Sequence, residues 1–380
     1  MPKYKFSEIA FNITDKKMPE PGDEELYIGL EHLDSGSLRV TRWGSEVELV
    51  GQKLVMQKGD ILFGRRNTYL RRAAIAPHDG IFSAHGMIFR PNTNVIDPDY
   101  FPFFISSDYF MDAAIRISVG SLSPTVNWKT LKELEFYLPD LNQQRHTAEL
   151  LSAANETKEA YQDLLLKTDE LVKSQFIELF GDPITNSKSL PMKALSEVAS
   201  SRLGKMLDAK KQTGKYRYPY LANFNVQWFH FDFSTLNQMD FNEDDQVEFS
   251  LENGDLMVCE GGEVGRCAIW REEIEHCFFQ KAVHRVRCDT TQILPEYLAW
   301  WFKFHSSYNG FEDIIGSKST IAHLPGVKLK ALQIPVPNIE TQQVFVSFFE
   351  QLDKSKFELK QAIANISELM KSLIQQDFTN

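Results

Sequence analysis

"GDILFGRRNTYLRRAAIA" (59–76) and "GDLMVCEGGEVGRCAIW" (254–270) share one frame. Gly59-Asp60 matches Gly254-Asp255, and Arg71-x-Ala73 matches Arg266-x-Ala268, at an offset of about 195 residues. The frame repeats while the arginine-rich tip between its ends becomes glycines and glutamates. A kept frame with a changed tip implies one scaffold used twice to meet two different targets. The repeat extends outward in both directions. "FSEIA" (6–10) matches "LSEVA" (195–199), Tyr27-Ile28 matches Tyr220-Leu221, and "LKELEFYLP" (131–139) matches "LKALQIPVP" (329–337). Gln144-Arg145 and Gln342-Gln343 then each open a long segment free of Gly and Pro. The offset drifts from about 189 to about 198, as insertions in loops produce.

The two long segments carry a seam. In the second, Phe348, Leu352, Ser355, Leu359, Ala362, Ile366, Leu369 and Leu373 are spaced by alternating fours and threes, the period of a coiled coil. About 198 residues earlier the same phase gives Leu150, Ala154, Thr157, Tyr161, Leu164, Thr168, Leu171 and Gln175. Gly181 and Pro183 stop the first helix. Helices of about 37 residues are about 55 Å long, and matched length and phase favour their pairing over packing of each on its own half. The intervening stretches, among them "LVMQKGDILFGRR" and "CAIWREEIEHCFFQKAVHRVRC", read as strands and turns. Shorter helices are expected in "PDYFPFFISSDYFMDAAIRI" and "PEYLAWWFKFHSSYNGFEDII". The expected fold is α+β: a globular domain at 1–140, a long helix at 141–181, a second globular domain at 182–339 and a second long helix at 340–380. An antiparallel coiled coil and a pseudo-two-fold repeat complete it.

The chain has 380 residues, 43% hydrophobic and 24% charged, the composition of a globular protein with room for two cores. No membrane span or secretory leader is read in it, which points to the cytoplasm. Cys259, Cys267, Cys277 and Cys288 lack the short spacing of a zinc knuckle, so no metal is expected and they read as reduced residues in buried strands. A net charge of −11 taken alone speaks against nucleic acid, but the charge is uneven. Residues 58–72 hold Lys58, Arg65, Arg66, Arg71 and Arg72 against Asp60. Residues 202–217 hold Arg202, Lys205, Lys210, Lys211, Lys215 and Arg217 against Asp208.

Three features together resemble the specificity subunit of a type I restriction-modification system. They are the strand leading into "RRNTYLRRAAIA", "VGSLSPTVNWKTLKELEFYLP" running into "LNQQRH" and a helix, and "LFGDP" at a junction into a second domain opening with "LSEVA". The resemblance spans the chain. The second half departs from the first in its "CEGGEVG" tip and in Gln-Gln after its Pro-Val-Pro turn. The resemblance implies two target recognition domains, each reading one half of a split double-stranded DNA target. It also implies a helical spacer that docks two modification (methyltransferase) subunits, with restriction (motor-nuclease) subunits beside them. S-adenosylmethionine, ATP and Mg would be bound by those partners and no cofactor by this chain, which would itself be no enzyme.

The residue chemistry gives candidate roles. Arg donates a fork of hydrogen bonds to guanine and Asn pairs likewise with adenine. Arg65, Arg66, Asn67 and Tyr69 are therefore the expected base readers, with Arg71, Arg72 and Lys58 on phosphates. A solvated charged hairpin is the alternative. In the second half, Arg202, Lys205, Lys210 and Lys211 lie in what reads as a loop able to follow a groove. The glycines of "EGGEVGR" either let backbone approach DNA or make a tight turn, and Glu260 and Glu263 could accept from cytosine. Arg266 is either a phosphate contact or a structural partner. "VGSLSP" (119–124) and "IGSKST" (315–320) are equivalent loops whose Ser121, Ser123, Ser317, Lys318 and Ser319 suit phosphate or a turn. Helix pairing is assigned to Leu150, Tyr161, Leu164 and Leu171 with Phe348, Leu352, Leu359, Ile366, Leu369 and Leu373. A helix pair of this length would set half-sites one to one and a half turns apart, at about 34 Å per turn. No adenine-methyltransferase Pro-Pro motif, phosphate loop, dinucleotide fingerprint or catalytic triad is present in the sequence. A scaffold without readout and a cryptic nuclease or methyltransferase are the rival classes.

Overall fold

The alternation of apolar residues into two cores is what shapes each globular part. In the hairpin of Ile61–Phe63 and Ala73–Ile75, Ile61, Phe63 and Ala73 enter one core, and Leu62 and Ala74 the other. Successive strand residues point to opposite faces, so a strand covered on both sides is apolar throughout. The corresponding hairpin of Leu256–Cys259 and Cys267–Ile269 splits the same way, with Leu256, Val258 and Cys267 on one side and Met257, Cys259 and Ala268 on the other. The computed structural model describes residues 1–208, 212–312 and 323–379.

The chain forms two compact units: Met1–Leu164 with Glu358–Asn380, and Leu165–Phe357. In the first, one sheet orders Ala10–Ile13, Met87–Pro91, Ile61–Phe63 and Ala73–Ile75, all antiparallel. A second sheet orders Lys16–Lys17, Lys53–Met56, Gly80–Phe82 and Tyr27–Ile28, the last pair parallel. Lys3–Lys5 pairs with Glu135–Tyr137 and closes the domain just before the long helix. The second unit repeats the plan. Ala199–Leu203, Val283–Cys288, Leu256–Cys259 and Cys267–Ile269 form one sheet, and Asn237–Asp240, Arg217–Leu221 and Phe278–Phe279 another. Met192–Ala194 with Gln333–Pro335 makes its closing pair. The stretch 199–203, expected to be loop, is thus a full strand, because its partner Val283–Cys288 offers it an edge.

The expected short helices are Phe101–Ser106, Asp108–Arg116 and Pro295–Ser307. Ser107 separates the first two and caps the second by accepting from the Phe110 amide. The long helices run Leu141–Phe180 and Ile339–Thr379. Gly181, at φ 78°, ends the first, its amide donating to the Ile177 carbonyl at 2.8 Å. Each helix start is fixed by a buried glutamine. Gln144 accepts from the Asp97 amide at 2.8 Å and donates to the carbonyls of Val95 and Pro139. Gln342 does the same with Leu294, Gln292 and Pro337. A buried amide with three partners is fully tied into its surroundings, which explains the repeated glutamine.

The helices pair antiparallel within each unit. In the first, Gln143 donates to Asp377 at 3.2 Å, and Ala148 and Leu151 share a core with Met370, Leu373 and Ile374. In the second, Phe176 meets Phe345 at 5.3 Å, and Lys356 bonds Asp169. The first-helix seam differs from the expected phase. Leu150, Leu164 and Leu171 are exposed, as is Leu369. Of the expected seam Thr168 is buried, and beside it Thr147, Ala148, Leu151, Val172 and Phe176 are buried instead of the leucines. Tyr161, Phe348, Leu352, Leu359, Ile366 and Leu373 are half-buried. The physical reason is that each helix also packs on a globular core, which rotates the buried stripe away from a strict two-helix seam. Phe176 is 1% exposed and also packs on Phe180, Tyr297 and Phe304. Phe176→Ala is expected to cost about 3–5 kcal/mol, read as a lower denaturation midpoint.

Candidate nucleic-acid interface

The repeated Gly-Asp pair is the base of the hairpin. Gly59 and Gly254 take φ of 90° and 93°. Asp60 accepts the Gln57 amide at 2.8 Å and a fork from Arg90 at 2.5 and 3.0 Å. Asp255, 1% exposed, accepts the Glu252 amide at 2.7 Å and the fork of Arg287 at 2.7 and 2.8 Å. The shared residues of the opening frame therefore brace the scaffold, and only what lies between them can vary.

In the first unit the turn 64–72 is short and stiff. Thr68–Leu70 makes one 3₁₀ turn between Asn67 and Arg71, both left-handed at φ 55° and 50°. The loop 119–125 is strapped to it. The Asn67 amide donates to the Pro124 carbonyl at 2.8 Å, and the Val126 amide to the Arg65 carbonyl at 2.9 Å. Arg66 reaches the Ser123 hydroxyl at 3.4 Å. Two stretches that were separate candidates in the sequence thus form one surface, with Arg66, Tyr69 and Ser121 exposed on it.

Charge sorts the arginines. Arg71 bonds Asp108 at 2.7 Å and also Asp112, which docks the turn onto the helix Asp108–Arg116. Its expected phosphate role gives way to this internal one. Arg65, Arg66 and Arg72 have no carboxylate partner among the described residues. The Arg65 Nε and Asn67 Oδ1 atoms are buried without a hydrogen-bond partner. Lys58 is exposed but lies at the other end of the hairpin, where its amide donates to Asp79 and the Gly59 amide to Ala76. It does not join the tip.

In the second unit the turn is held in the same manner, the Leu324 amide donating to the Glu260 carbonyl at 2.7 Å and Gly261 pairing with His323. Two of its charges, Glu263 and Arg266, are spent internally. Glu263 accepts from Trp228 Nε1 at 2.5 Å and lies 3.5 Å from Arg266, which donates to the Asn223 carbonyl at 2.8 Å. Arg266 is structural, and Glu263 is not free to accept from a cytosine. Arg202 pairs with Glu248 and lies over the Phe249 ring. Lys205 donates to the Asp240 carbonyl and to Asp245. Both are removed from the expected groove-following loop because they stand on a strand and beside it. Lys210, Lys211, Ser317, Lys318 and Ser319 lie outside the described residues. Lys215, Arg217 and the aromatic Phe224 are exposed in this unit, and none was singled out as a contact in the sequence.

His284, 1% exposed, bonds the Leu324 carbonyl at 2.9 Å and so supports the strap of the second turn. Burial lowers its pKa; the Leu324 carbonyl and Glu260 oppose the shift, and Lys330 adds slightly to it. The imidazole is neutral when folded and gains its proton on unfolding. Its contribution is full above the ordinary value of about 6.5 and is lost as pH falls toward the lowered folded value. The melting temperature is expected to fall between about pH 7 and 5, and His284→Gln to remove part of the fall. His305 and His32, also lowered by burial, retain the rest. The cysteine thiols are pushed up by burial, Cys259 to about 11 and Cys277 and Cys288 to about 12. Among the described residues no group suited to hold a metal is found, and no helix is long and apolar enough to cross a membrane.

Known proteins share this plan. A family model described as the type I restriction modification DNA specificity domain matches residues 27–165 and again 189–368. A solved chain from work on complex assembly and conformational transition of the type I R-M system superposes with a TM-score of 0.60 at 15% identity, covering 99% of this chain and 97% of that one. The S subunit of a type I restriction-modification system from M. genitalium gives 0.59 at 15% identity, over 100% and 96%. At that identity the structural likeness is one of fold. The two matched segments each hold one copy of the braced hairpin and its strap, and on that double match the chain belongs to the family of type I restriction-modification DNA specificity proteins.

Proposed function

We propose that this chain is the DNA-reading, non-catalytic subunit of a type I restriction-modification complex and recognises a bipartite target with an unread middle. One observation carries the reading. In a chain of net charge −11, Arg65, Arg66 and Arg72 gather on one strapped turn with no carboxylate partner among the described residues. Cations left uncompensated in an acidic protein suit a polyanion. Arg65, Arg66, Asn67 and Tyr69 face base edges of the first half-site, and Arg72 and Ser121 hold its backbone. The second unit reads the other half-site with a different surface, of which Lys215, Arg217 and Phe224 are the exposed members.

The outward leucines of the long helices, Leu150, Leu164 and Leu369 in one unit and Leu171 in the other, are apolar surface suited to docking two modification subunits. Those partners would carry S-adenosylmethionine, and restriction subunits would carry ATP and Mg, all in the cytoplasm. The test is long-read sequencing of the host genome for N6-methyladenine with the gene intact and deleted, in a host expressing modification subunits. Loss of methylation at one split motif is expected. Unchanged methylation would falsify the reading.

A further inference from the structure

Leu122 is 94% exposed at the apex of the 119–125 loop, more than any other large apolar side chain among the described residues. Single exposed leucines are common on protein surfaces, so exposure alone argues nothing. The loop beneath it does. Val119 and Thr125 exchange both backbone hydrogen bonds, at 3.1 and 2.9 Å. Thr125 Oγ1 donates to the Ser123 carbonyl at 2.9 Å, and Gly120 takes φ 117° to let the chain turn. The foot of the loop is bonded to the backbone of Asn67 and Arg65, and Ser123 meets Arg66. The apex is therefore held in a fixed place, and it stands on the cluster of arginines that lack carboxylate partners. Ser121 beside it is exposed.

A fixed apolar tip flanked by cations has a specific use on duplex DNA. The cations take phosphates, and the apolar side chain enters between base pairs and unstacks one step. We propose that Leu122 is such a wedge, inserted at the first half-site and holding one base step open there. The proposal rests on the DNA-reading function above and adds a deformation to it. It makes the first half-site sensitive to how readily its steps unstack, a selectivity without hydrogen bonds to bases. It also separates roles on one surface: Arg72 on the backbone supplies a salt-dependent part, and Leu122 a salt-independent part.

The experiment uses the complex assembled with its modification subunits and a duplex carrying the split motif read from the host methylome. Binding is measured by fluorescence anisotropy for the unchanged protein, Leu122→Ala and Leu122→Met. Leu122→Ala is expected to bind the paired duplex about tenfold more weakly, with an unchanged salt slope. Leu122→Met, long enough to insert, is expected to stay near the unchanged protein. Mismatches are then placed in turn at each step of the first half-site. At one step the defect of Leu122→Ala should shrink to under about twofold, because an opened step needs no wedge. Equal binding of Leu122→Ala and the unchanged protein to the paired duplex overturns the proposal. So does a defect that no mismatch relieves, or loss of the modification subunits from Leu122→Ala on gel filtration, which would make the residue a protein contact. An unchanged complex that does not prefer the split motif to a scrambled duplex overturns the DNA-reading function itself, a failure seen before any variant is compared.

Discussion

Replacing Arg65 and Arg66 together by alanine is expected to weaken binding of the assembled complex to its split target by about 10²- to 10³-fold. Each Arg fork on a guanine discriminates by about 1–3 kcal/mol, and about 1.4 kcal/mol is a factor of ten. The loss should be confined to the first half-site, since the turn of the second unit has its own strap through Glu260 and Leu324. Stability should change little. Arg66 is exposed, and neither side chain has a carboxylate partner among the described residues whose loss would leave a buried charge. Competition with duplexes altered at each position of the first half-site measures this. Relaxed selectivity there with selectivity kept in the second half-site supports direct readout. A uniform loss over all sequences, with a shallower salt dependence, would assign both arginines to phosphate. Arg71→Ala is the contrast, because Arg71 is committed to Asp108 and Asp112 and acts on the seating of the turn.

A large loss of stability is expected from Asp255→Ala. The carboxylate is buried, accepts the Glu252 amide and takes both arms of the Arg287 fork. Truncation leaves that amide unbonded and strips the half-buried Arg287 of its inner partner. Breaking a buried pair from one side costs about 3–5 kcal/mol. Arg287 retains Glu252 at 2.6 Å and is 33% exposed, so the lower end, about 3 kcal/mol, is expected. For a unit of this size that lowers the melting temperature by about 6–12 °C. Glu252→Ala removes only the outer, exposed partner, and about 1 kcal/mol or less is expected. Calorimetry on both variants decides it. Equal losses would mean that the fork on Asp255 does not brace the hairpin.

The contrast between these two experiments maps onto what could be read before any fold was known. Gly-Asp at 59–60 and 254–255, the glutamines at 144 and 342, and the long segments free of Gly and Pro were all visible as repeats. Each is now explained by a bond pattern that recurs in both units. The seam on the first helix runs beside Leu150, Leu164 and Leu171, not through them. A period of alternating fours and threes describes a helix with one partner, whereas this helix packs at once on its mate and on a globular core. The buried Leu151 and Val172 sit one position along from the expected residues. Of the candidate contacts, Arg71, Arg202 and Lys205 rest on local charge and Arg266 on its repeated place, and neither signal shows that Asp108, Glu248, Asp245 or the Asn223 carbonyl waits across the fold. Leu122 carries no signal of its own, because nothing in a sequence distinguishes a leucine bound for the core from one held at the apex of a closed loop.

The sequence by itself determined the duplication, the class of fold and the long helices, because these depend on periodicity and on spacing between residues close along the chain. It also determined the family, through motifs in a fixed order. Only the tertiary structure decided which cations are free and which are spent, and that the arginine turn and the serine loop are one surface. The reason is physical: whether a charge is available depends on its nearest opposite charge in space, and those partners lie about 37–46 residues away along the chain.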